Sequence, residues 1–233
     1  MAKLIMTDTK KIKKILRLLN RVYGKPERFK SEAPMDVLIR TILSQNTSDT
    51  NSDKAFAVLK ANFKSWDALL KSNTKMISRL IRSAGLSNIK AKRLKDALSE
   101  IRRREGRIGL SRLKNFEIDV SLNYLRSLNG VGPKTAACVL LFGFGMPVMP
   151  VDTHIFRVTK RLGLIEKDIK VEEAHNVLSR KVPADLIYDF HLGIIEHGRR
   201  TCRAQNPRCG ICVLYGLCMF KKKEYYRKKG EKS

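Results

Sequence analysis

The sequence predicts an all-α protein. Nearly every apolar segment repeats with the 3.6-residue period of a helix, and almost none alternates as a β-strand would. Glycine and proline residues fall where these apolar stripes end. The chain has 233 residues and is 43% hydrophobic, which is enough for one large domain or two small ones. We therefore expect about ten short helices and a well-packed interior.

The expected helices follow one another with short connections. The first ends at Gly24 and Pro26 and has one apolar stripe, formed by Ile12, Ile15, Leu16, Leu19 and Val22. Asp119 can cap a later helix, and Pro133 can open the next, because the first helical turn needs no N–H. The remaining stripes are centred on residues 37–43, 55–63, 76–81, 94–101, 153–162, 171–179 and 186–197. Residues 221–233 have no stripe and are expected to be disordered.

The charge of the chain indicates a polyanionic partner. Lys and Arg total 48 against 22 Asp and Glu, which gives a net charge of +26. The alternative is a basic surface that is merely solvated. No apolar run approaches the roughly 20 residues of a membrane span, and residues 1–23 form a structural helix rather than a signal peptide. We expect a cytoplasmic, nucleoid-associated protein that does not bind membranes. An RNA-binding module is disfavoured because aromatic residues make up only 7% of the chain.

The segment Leu-Asn-Gly-Val-Gly-Pro-Lys-Thr-Ala at residues 128–136 predicts a hairpin between two helices. Gly130 and Gly132 permit positive φ and a close approach of the backbone to a phosphate, with Val131 between them. The free N–H groups of the helix that follows form an anion site. Such contacts bind nucleic acid without reading its sequence. The alternative is an ordinary helix–helix turn.

An amine and a carboxylate stand near this hairpin in the sequence. Lys134 lies in the first turn of the helix after the hairpin, where the positive helix end favours a neutral, nucleophilic amine. The alternative is a lysine that only contacts phosphate. Asp152 follows in Val-Asp-Thr-His-Ile-Phe-Arg. It can stabilise positive charge developing on a sugar, or it can cap a helix, and both roles are compatible.

Four cysteines near the end of the chain predict a metal centre. Cys202, Cys209, Cys212 and Cys218 have the spacing C-x6-C-x2-C-x5-C, which suits a 4Fe-4S cluster or a structural zinc ion. The cluster is favoured because only one pair has the close C-x2-C spacing. Arg203 and Arg208, with Arg199 and Arg200, lie beside the cysteines and suggest a phosphate clamp, unless they only offset the charge of the cluster.

The hairpin, the aspartate segment and the cysteine spacing, in this order, resemble the endonuclease III family of helix-hairpin-helix DNA glycosylases with an iron–sulfur cluster. The resemblance covers about residues 35–220. It implies a bifunctional DNA glycosylase and abasic-site lyase of base excision repair, acting on oxidised pyrimidines. In this family the hairpin lysine is the nucleophile that forms a Schiff base, and the aspartate assists. Those roles would fall on Lys134 and Asp152.

The same resemblance implies a two-lobed fold. Residues 26–146 would form a six-helix barrel with the hairpin, and residues 1–25 and 147–220 an iron–sulfur domain. The partner would be double-stranded DNA with damaged bases or abasic sites, bound by a monomer. The target nucleotide must leave the duplex, and a polar residue and an apolar wedge fill the gap. Gln45 and Asn46 are both candidates for the polar filler, and the choice between them is open.

Further residues are assigned by the resemblance alone. Leu86 matches the wedge, with a hydrophobic contact at a helix end as the alternative. His154 would lie near the DNA strand, or it is a core histidine held by hydrogen bonds. Asn129 and Pro133 depart from the commoner family residues of the hairpin. Other functions on the same scaffold are a mismatch (T/U) or 8-oxoguanine glycosylase, or a non-catalytic protein that binds damaged DNA.

Overall fold

The computed structural model describes residues 8–27 and 29–230, and within these residues the chain is helical and without β-strands. The predicted all-α class is confirmed. None of the described helices is long and apolar enough to cross a membrane. The first seven residues of the segment interpreted as a structural helix lie outside the described part.

The α-helices are α1 (Asp8–Tyr23), α2 (Pro34–Ser44), α3 (Asp49–Asn62), α4 (Trp66–Lys71), α5 (Thr74–Leu80), α6 (Ser87–Glu105), α7 (Ile118–Arg126), α8 (Pro133–Cys138), α9 (Thr153–Leu162), α10 (Val171–Lys181), α11 (Ile187–Arg200) and α12 (Lys223–Gly230).

The chain divides into two compact units. One unit is Lys30–Met146, called the hairpin unit below because it contains the predicted hairpin. The other combines Met1–Phe29 with Pro147–Ser233 and is called the cluster unit because it contains the four cysteines. The first boundary was expected at residue 26. It falls later because the ring of Phe29 packs edge-on against Tyr188 of the cluster unit, with centroids 5.1 Å apart.

Helix α2 is the centre of the hairpin unit. It contacts α3, α6 and α8, so it is apolar on most sides. It begins with Pro34 at a first-turn position, where the missing N–H costs nothing. Helix α8 continues as a π-helical turn, Val139–Gly143, which approaches α2 closely: a Cβ on Gly143 would lie 3.0 Å from the Cα of Pro34. Gly143 therefore allows the helix that follows the hairpin to pack directly on the central helix.

The expected cap of α7 is wrong. Asp119 was predicted to begin this helix, but α7 begins one residue earlier, at Ile118. Glu117 holds the cap position and makes no side-chain cap bond. The start is fixed instead by Ser121, which is fully buried and donates a hydrogen bond to the carbonyl of Leu113. Local cap chemistry is thus overridden by a tertiary contact.

In the cluster unit, α1 packs against α11. Four residues of the predicted stripe, Ile12, Ile15, Leu16 and Leu19, are buried in this contact, whereas Val22 is 50% exposed and does not belong to the stripe. Helix α11 presents Gly193 to α1, where a Cβ would come 3.3 Å from the side chain of Leu19. The N-terminal end of α1 is also held by polar contacts: Lys181 pairs with Asp8, and Lys11 donates to the carbonyl of Leu162.

The predicted disorder of residues 221–233 is wrong for Lys223–Gly230, which form α12; residues 231–233 lie outside the described part of the chain. The helix is held by polar and aromatic contacts rather than by an apolar stripe. The Nζ of Lys223 donates to the carbonyls of Tyr215 and Cys218, and Tyr226 stacks on Phe220 with centroids 6.2 Å apart. A hydrophobic pattern therefore gives no sign of this helix.

Candidate active site and iron–sulfur loop

The segment between α7 and α8 is the predicted helix-hairpin-helix. Leu128 and Val131 are buried and anchor the turn, and the N–H of Val131 bonds to the carbonyl of Leu128 at 3.1 Å. Gly130 has φ +79°, and a Cβ there would lie 2.6 Å from Cδ of Arg93. Only glycine fits this position. Gly132 does not use the positive φ that glycine permits: its φ is −88°, and a Cβ would meet nothing within 4 Å.

Lys134 is the second residue of α8, directly after Pro133. Its side chain is half-buried, and its ammonium group makes no hydrogen bond or ion pair with any residue the structure describes. The free N–H groups of the same helical turn point out of the N-terminus of α8. Asn129 does not compete for this end of the helix, because its amide donates to Asp96 at 2.7 Å. The hairpin thus places an uncommitted amine beside a group of backbone donors.

Gln45 and Asn46, the two candidates for the filler, have opposite environments. Nε2 of Gln45 donates to the carbonyl of Gly130 at 2.9 Å, and its Oε1 accepts from Arg93 at 2.7 Å. Asn46 has φ +53° and an exposed side chain that forms no hydrogen bond within the described residues. The amide of Gln45 is therefore used inside the protein, whereas the amide of Asn46 is available to a ligand.

Leu86 is an exposed apolar side chain on a strained backbone. Its φ is +49°, which leucine rarely adopts, and its side chain is 53% exposed. It precedes the first residue of α6 and makes no side-chain cap bond. An exposed leucine in a strained conformation is typical of a side chain that is held ready for a partner.

Asp152 caps α9 in the cluster unit, which is one of the two roles expected from the sequence. Its Oδ1 accepts from the N–H of Ile155 at 2.7 Å. Its second oxygen forms no hydrogen bond within the described part of the chain. The segment before it is held by two buried histidines that the sequence did not single out: Nδ1 of His175 contacts Met149 and Val151, and Nδ1 of His191 contacts Pro150. One carboxylate oxygen is thus fixed and the other remains available.

His154 is half-buried between α9 and α11. Its Nδ1 lies 3.1 Å from the guanidinium of Arg157, which also donates to the carbonyl of Gly198 at 2.9 Å. An arginine is always a donor, so Nδ1 accepts and the proton is on Nε2. The ring is therefore anchored at one nitrogen, and the other nitrogen can donate.

The four cysteines of the predicted metal centre line one cavity, together with residues of α9 and of the loop before α12. None of them forms a disulfide. Thiols that surround a cavity fit a cluster, whose iron atoms are spread over its corners.

Burial favours the protonated form of three of these thiols. Burial raises the pKa of Cys212 to about 12 and, to a smaller extent, the pKa values of Cys209 and Cys218. Such thiols lose their protons only when a metal binds them. The structure adds one residue that sequence reasoning missed. NH1 of Arg161 lies 3.3 Å from Sγ of Cys202 and donates to the carbonyl of Arg203 at 2.8 Å. Arg161 is 41 residues from Cys202 in the sequence, so no local motif could have predicted this contact.

Arg203 and Arg208, the predicted phosphate clamp, have exposed side chains on the cysteine loop. The loop between them turns at Asn206, which has φ +46°, and its backbone is fixed by the bond from the N–H of Arg208 to the carbonyl of Thr201 at 2.9 Å. The loop is therefore rigid at its base and presents two cations to solvent.

Comparison with known proteins agrees with this fold and with an iron–sulfur loop. Residues 39–184 match the model of the HhH-GPD superfamily base excision DNA repair protein, and residues 202–218 match the iron-sulfur binding domain of endonuclease III. Endonuclease III of Thermotoga maritima is 35% identical over 206 residues, which cover 88% of this chain and 90% of the relative. A putative DNA glycosylase of Arabidopsis thaliana is 38% identical over 168 residues, covering 72% of this chain but only 57% of that protein.

Two solved structures are similar over nearly the whole chain. A non-covalent endonuclease III–DNA complex superposes with a TM-score of 0.79 at 27% identity and covers 96% of this chain and all of its own. A trapped endonuclease III–DNA covalent intermediate superposes with a TM-score of 0.77 at 27% identity, covering 95% of this chain and 99% of its own.

A helical fold with this hairpin and this cysteine loop defines an iron–sulfur helix-hairpin-helix protein that binds DNA. The chain belongs to the endonuclease III family, within the HhH-GPD superfamily of base excision DNA repair proteins. It is a DNA glycosylase with a 4Fe-4S cluster.

The two glycines of the hairpin provide a matched test of its geometry. Gly130→Ala must force alanine into a left-handed conformation and displace Arg93, whereas Gly132→Ala meets no obstacle. We expect Gly130→Ala to lower the thermal midpoint by about 2–8 °C, and Gly132→Ala to change it little. Circular dichroism measures both midpoints. Equal midpoints for the two variants would contradict the assignment of Gly130 as the constrained residue.

Proposed function

We propose that this protein is a bifunctional DNA glycosylase and abasic-site lyase that acts on duplex DNA containing oxidised pyrimidines or abasic sites. The observation that carries the proposal is the amine of Lys134, which stands at the N-terminus of α8 without a partner among the described residues. Binding to a DNA backbone needs only the N–H groups of the hairpin, so a half-buried lysine beside them supports a chemical role. We propose further that the protein acts as a monomer.

The proposed reaction begins at the anomeric carbon of the flipped nucleotide. Nζ of Lys134, as the neutral amine, forms a bond to C1′, and the damaged base leaves with the electron pair of the glycosidic bond. Loss of a proton from nitrogen and opening of the sugar ring give an imine. Removal of a C2′ proton then expels the 3′ phosphate in a β-elimination, and water releases the lysine. A trapped covalent intermediate is known for a similar endonuclease III, which supports this route.

Asp152 is proposed as the second catalytic group. Its Oδ2 is not used by the cap of α9, so this oxygen can stabilise positive charge on the sugar and relay a proton. The cap bond to Ile155 would fix the carboxylate against rotation, and the two histidines behind it fix its backbone.

The remaining assignments concern DNA binding. We propose that Gly130, Val131 and Gly132 contact a backbone phosphate through their N–H groups. Arg203 and Arg208 on the cysteine loop would bind further phosphates, and the 4Fe-4S cluster would hold that loop in shape. Asn46 is proposed as the filler rather than Gln45, and Leu86 as the wedge. His154 would donate to the DNA strand through Nε2.

Borohydride trapping tests the nucleophile. The protein is incubated with an abasic-site duplex and reductant, and a covalent adduct is sought on a denaturing gel. We expect the adduct with the unchanged protein and none with Lys134→Gln, which should still bind the duplex. Lys92→Gln is the control, because Lys92 is an exposed lysine of the same unit. An adduct of normal yield with Lys134→Gln would overturn the assignment.

Substitution of Asp152 separates its two roles. Asparagine caps helices as well as aspartate does, so Asp152→Asn should keep the thermal midpoint while excision slows by at least about 100-fold. Asp152→Ala should lose both the rate and about 1 kcal/mol of stability. The rate is measured in single turnover on a thymine-glycol duplex. If Asp152→Asn were as fast as the unchanged protein, the residue would be a cap only.

Gln45 and Asn46 should give opposite results on alanine substitution. Gln45→Ala removes bonds to Gly130 and Arg93, so we expect a thermal midpoint lower by about 2–8 °C. Asn46→Ala should leave the midpoint unchanged but slow the excision of a stacked base, while cleavage of an abasic site, where no base must be displaced, is affected less. Gel assays on the two duplexes measure the difference. The reverse pattern would make Gln45 the filler.

A further inference from the structure

Lys90 on α6 is a buried cation. Its side chain is 1% exposed, and its Nζ donates to the carbonyl of Leu43 at 2.6 Å and to the carbonyl of Ala84 at 2.7 Å. No carboxylate of the described residues pairs with it. A lysine is almost never fully buried unless its head is bound, so these two bonds explain how it is tolerated. Neither carbonyl belongs to the helix of Lys90 itself.

Both carbonyls lie at helix ends. Leu43 is in the last turn of α2, and Ala84 ends the 3-10 turn Arg82–Ala84. Carbonyls at these positions have no partner in their own helix, and the negative end of a helix attracts a cation. The Nζ of Lys90 therefore joins the ends of two segments that are separated by about forty residues of sequence.

The residues that follow these carbonyls are the two proposed to enter the duplex. Asn46 comes three positions after Leu43, and Leu86 comes two positions after Ala84. Both are exposed, and both have the left-handed backbone that makes the chain turn outward, with φ +53° and φ +49°. One amino group thus holds the bases of both exposed turns, and its two short bonds fix the distance between them.

The next turn of α6 extends this connection to the hairpin. Arg93 lies three residues after Lys90, donates to Gln45 and packs against Gly130. Asp96 follows after three more residues and accepts from Asn129. One face of α6 therefore contacts the filler turn, the wedge turn and the hairpin in succession. Of these contacts, only the one made by Lys90 reaches both turns that carry a proposed inserting residue.

We propose that Lys90 is a positioning residue for nucleotide flipping, which sets the spacing between the Asn46 turn and the Leu86 turn. This inference rests on the proposed function, because it assigns a role in the step before the chemistry. Burial, and then the charge of Arg93, lowers the pKa of Lys90. The link does not depend on that charge, since a neutral amine still has two N–H donors for two carbonyls.

The test is a double-mutant cycle on the flipping step. A thymine-glycol duplex carries 2-aminopurine next to the lesion, and stopped-flow fluorescence follows its unstacking. Lys90→Met keeps the length of the side chain and removes both donors. We expect flipping at least about ten times slower, with affinity for undamaged duplex changed less than threefold. In the Asn46→Ala/Leu86→Ala background, the same Lys90→Met change should slow flipping less than threefold, because the residues it positions are absent.

Lys95→Met is the matched control. Lys95 lies on the same helix and donates through Nζ to the carbonyl of Ser72 at 2.6 Å, which belongs to neither turn. The Lys95→Met variant should leave the rate of flipping unchanged. Circular dichroism checks the fold of every variant, and if Lys90→Met does not fold, the shorter donor in Lys90→Gln is used in the same cycle. An equal loss of flipping in both backgrounds, or no loss in either, would overturn the proposal.

The proposed function fails in a different way. If the unchanged protein neither excises thymine glycol nor forms a borohydride adduct, the catalytic assignment is wrong. The fluorescence of 2-aminopurine is still measured in that case, because unstacking precedes any bond cleavage. If the protein does not excise the base but Lys90→Met still slows flipping, the proposed function is refuted and the positioning role of Lys90 stands.

Discussion

The absence of a side chain at Gly130 is the constraint on which the hairpin unit depends. Its left-handed turn brings Arg93 within contact of its α-carbon and directs its carbonyl to Gln45. These contacts connect the end of α2, α6 and the turn before α8 at one residue. A Cβ at this point would displace the side chain of Arg93, which bonds to Gln45.

The sequence predicted the parts of the site that are encoded locally. The hairpin, the cap at Asp152 and the four cysteines are each contained in a short segment, where residue type and spacing determine the geometry. The choice between Gln45 and Asn46 was not predictable, because it depends on a hydrogen bond across 85 residues. Family resemblance supplied the roles, but the contacts distinguish the two neighbours.

Other features were not predicted, because no hydrophobic pattern or local sequence motif indicates them. Lys90 occupies a core position, where a hydrophobic pattern expects an apolar residue, and its partners are backbone carbonyls without any sequence signature. Helix α12 is held by stacking and by a lysine, so its composition suggested disorder. Arg161 approaches Cys202 only after α9 and the cysteine loop have folded together. In each case a long-range polar contact decides the structure, and single-sequence reasoning has little access to such contacts.

The cluster unit is assembled from segments on both sides of the hairpin unit in the sequence. Helix α1 packs on α11, yet residues 24–186 lie between them and must be translated first. At roughly 5–20 residues per second, α11 leaves the ribosome about 8–30 s after α1. During that interval a nascent chain exposes a basic amphipathic helix, while α2–α8 can already fold. The last cysteine is added later still, so iron–sulfur assembly follows the translation of the whole unit that carries Lys134.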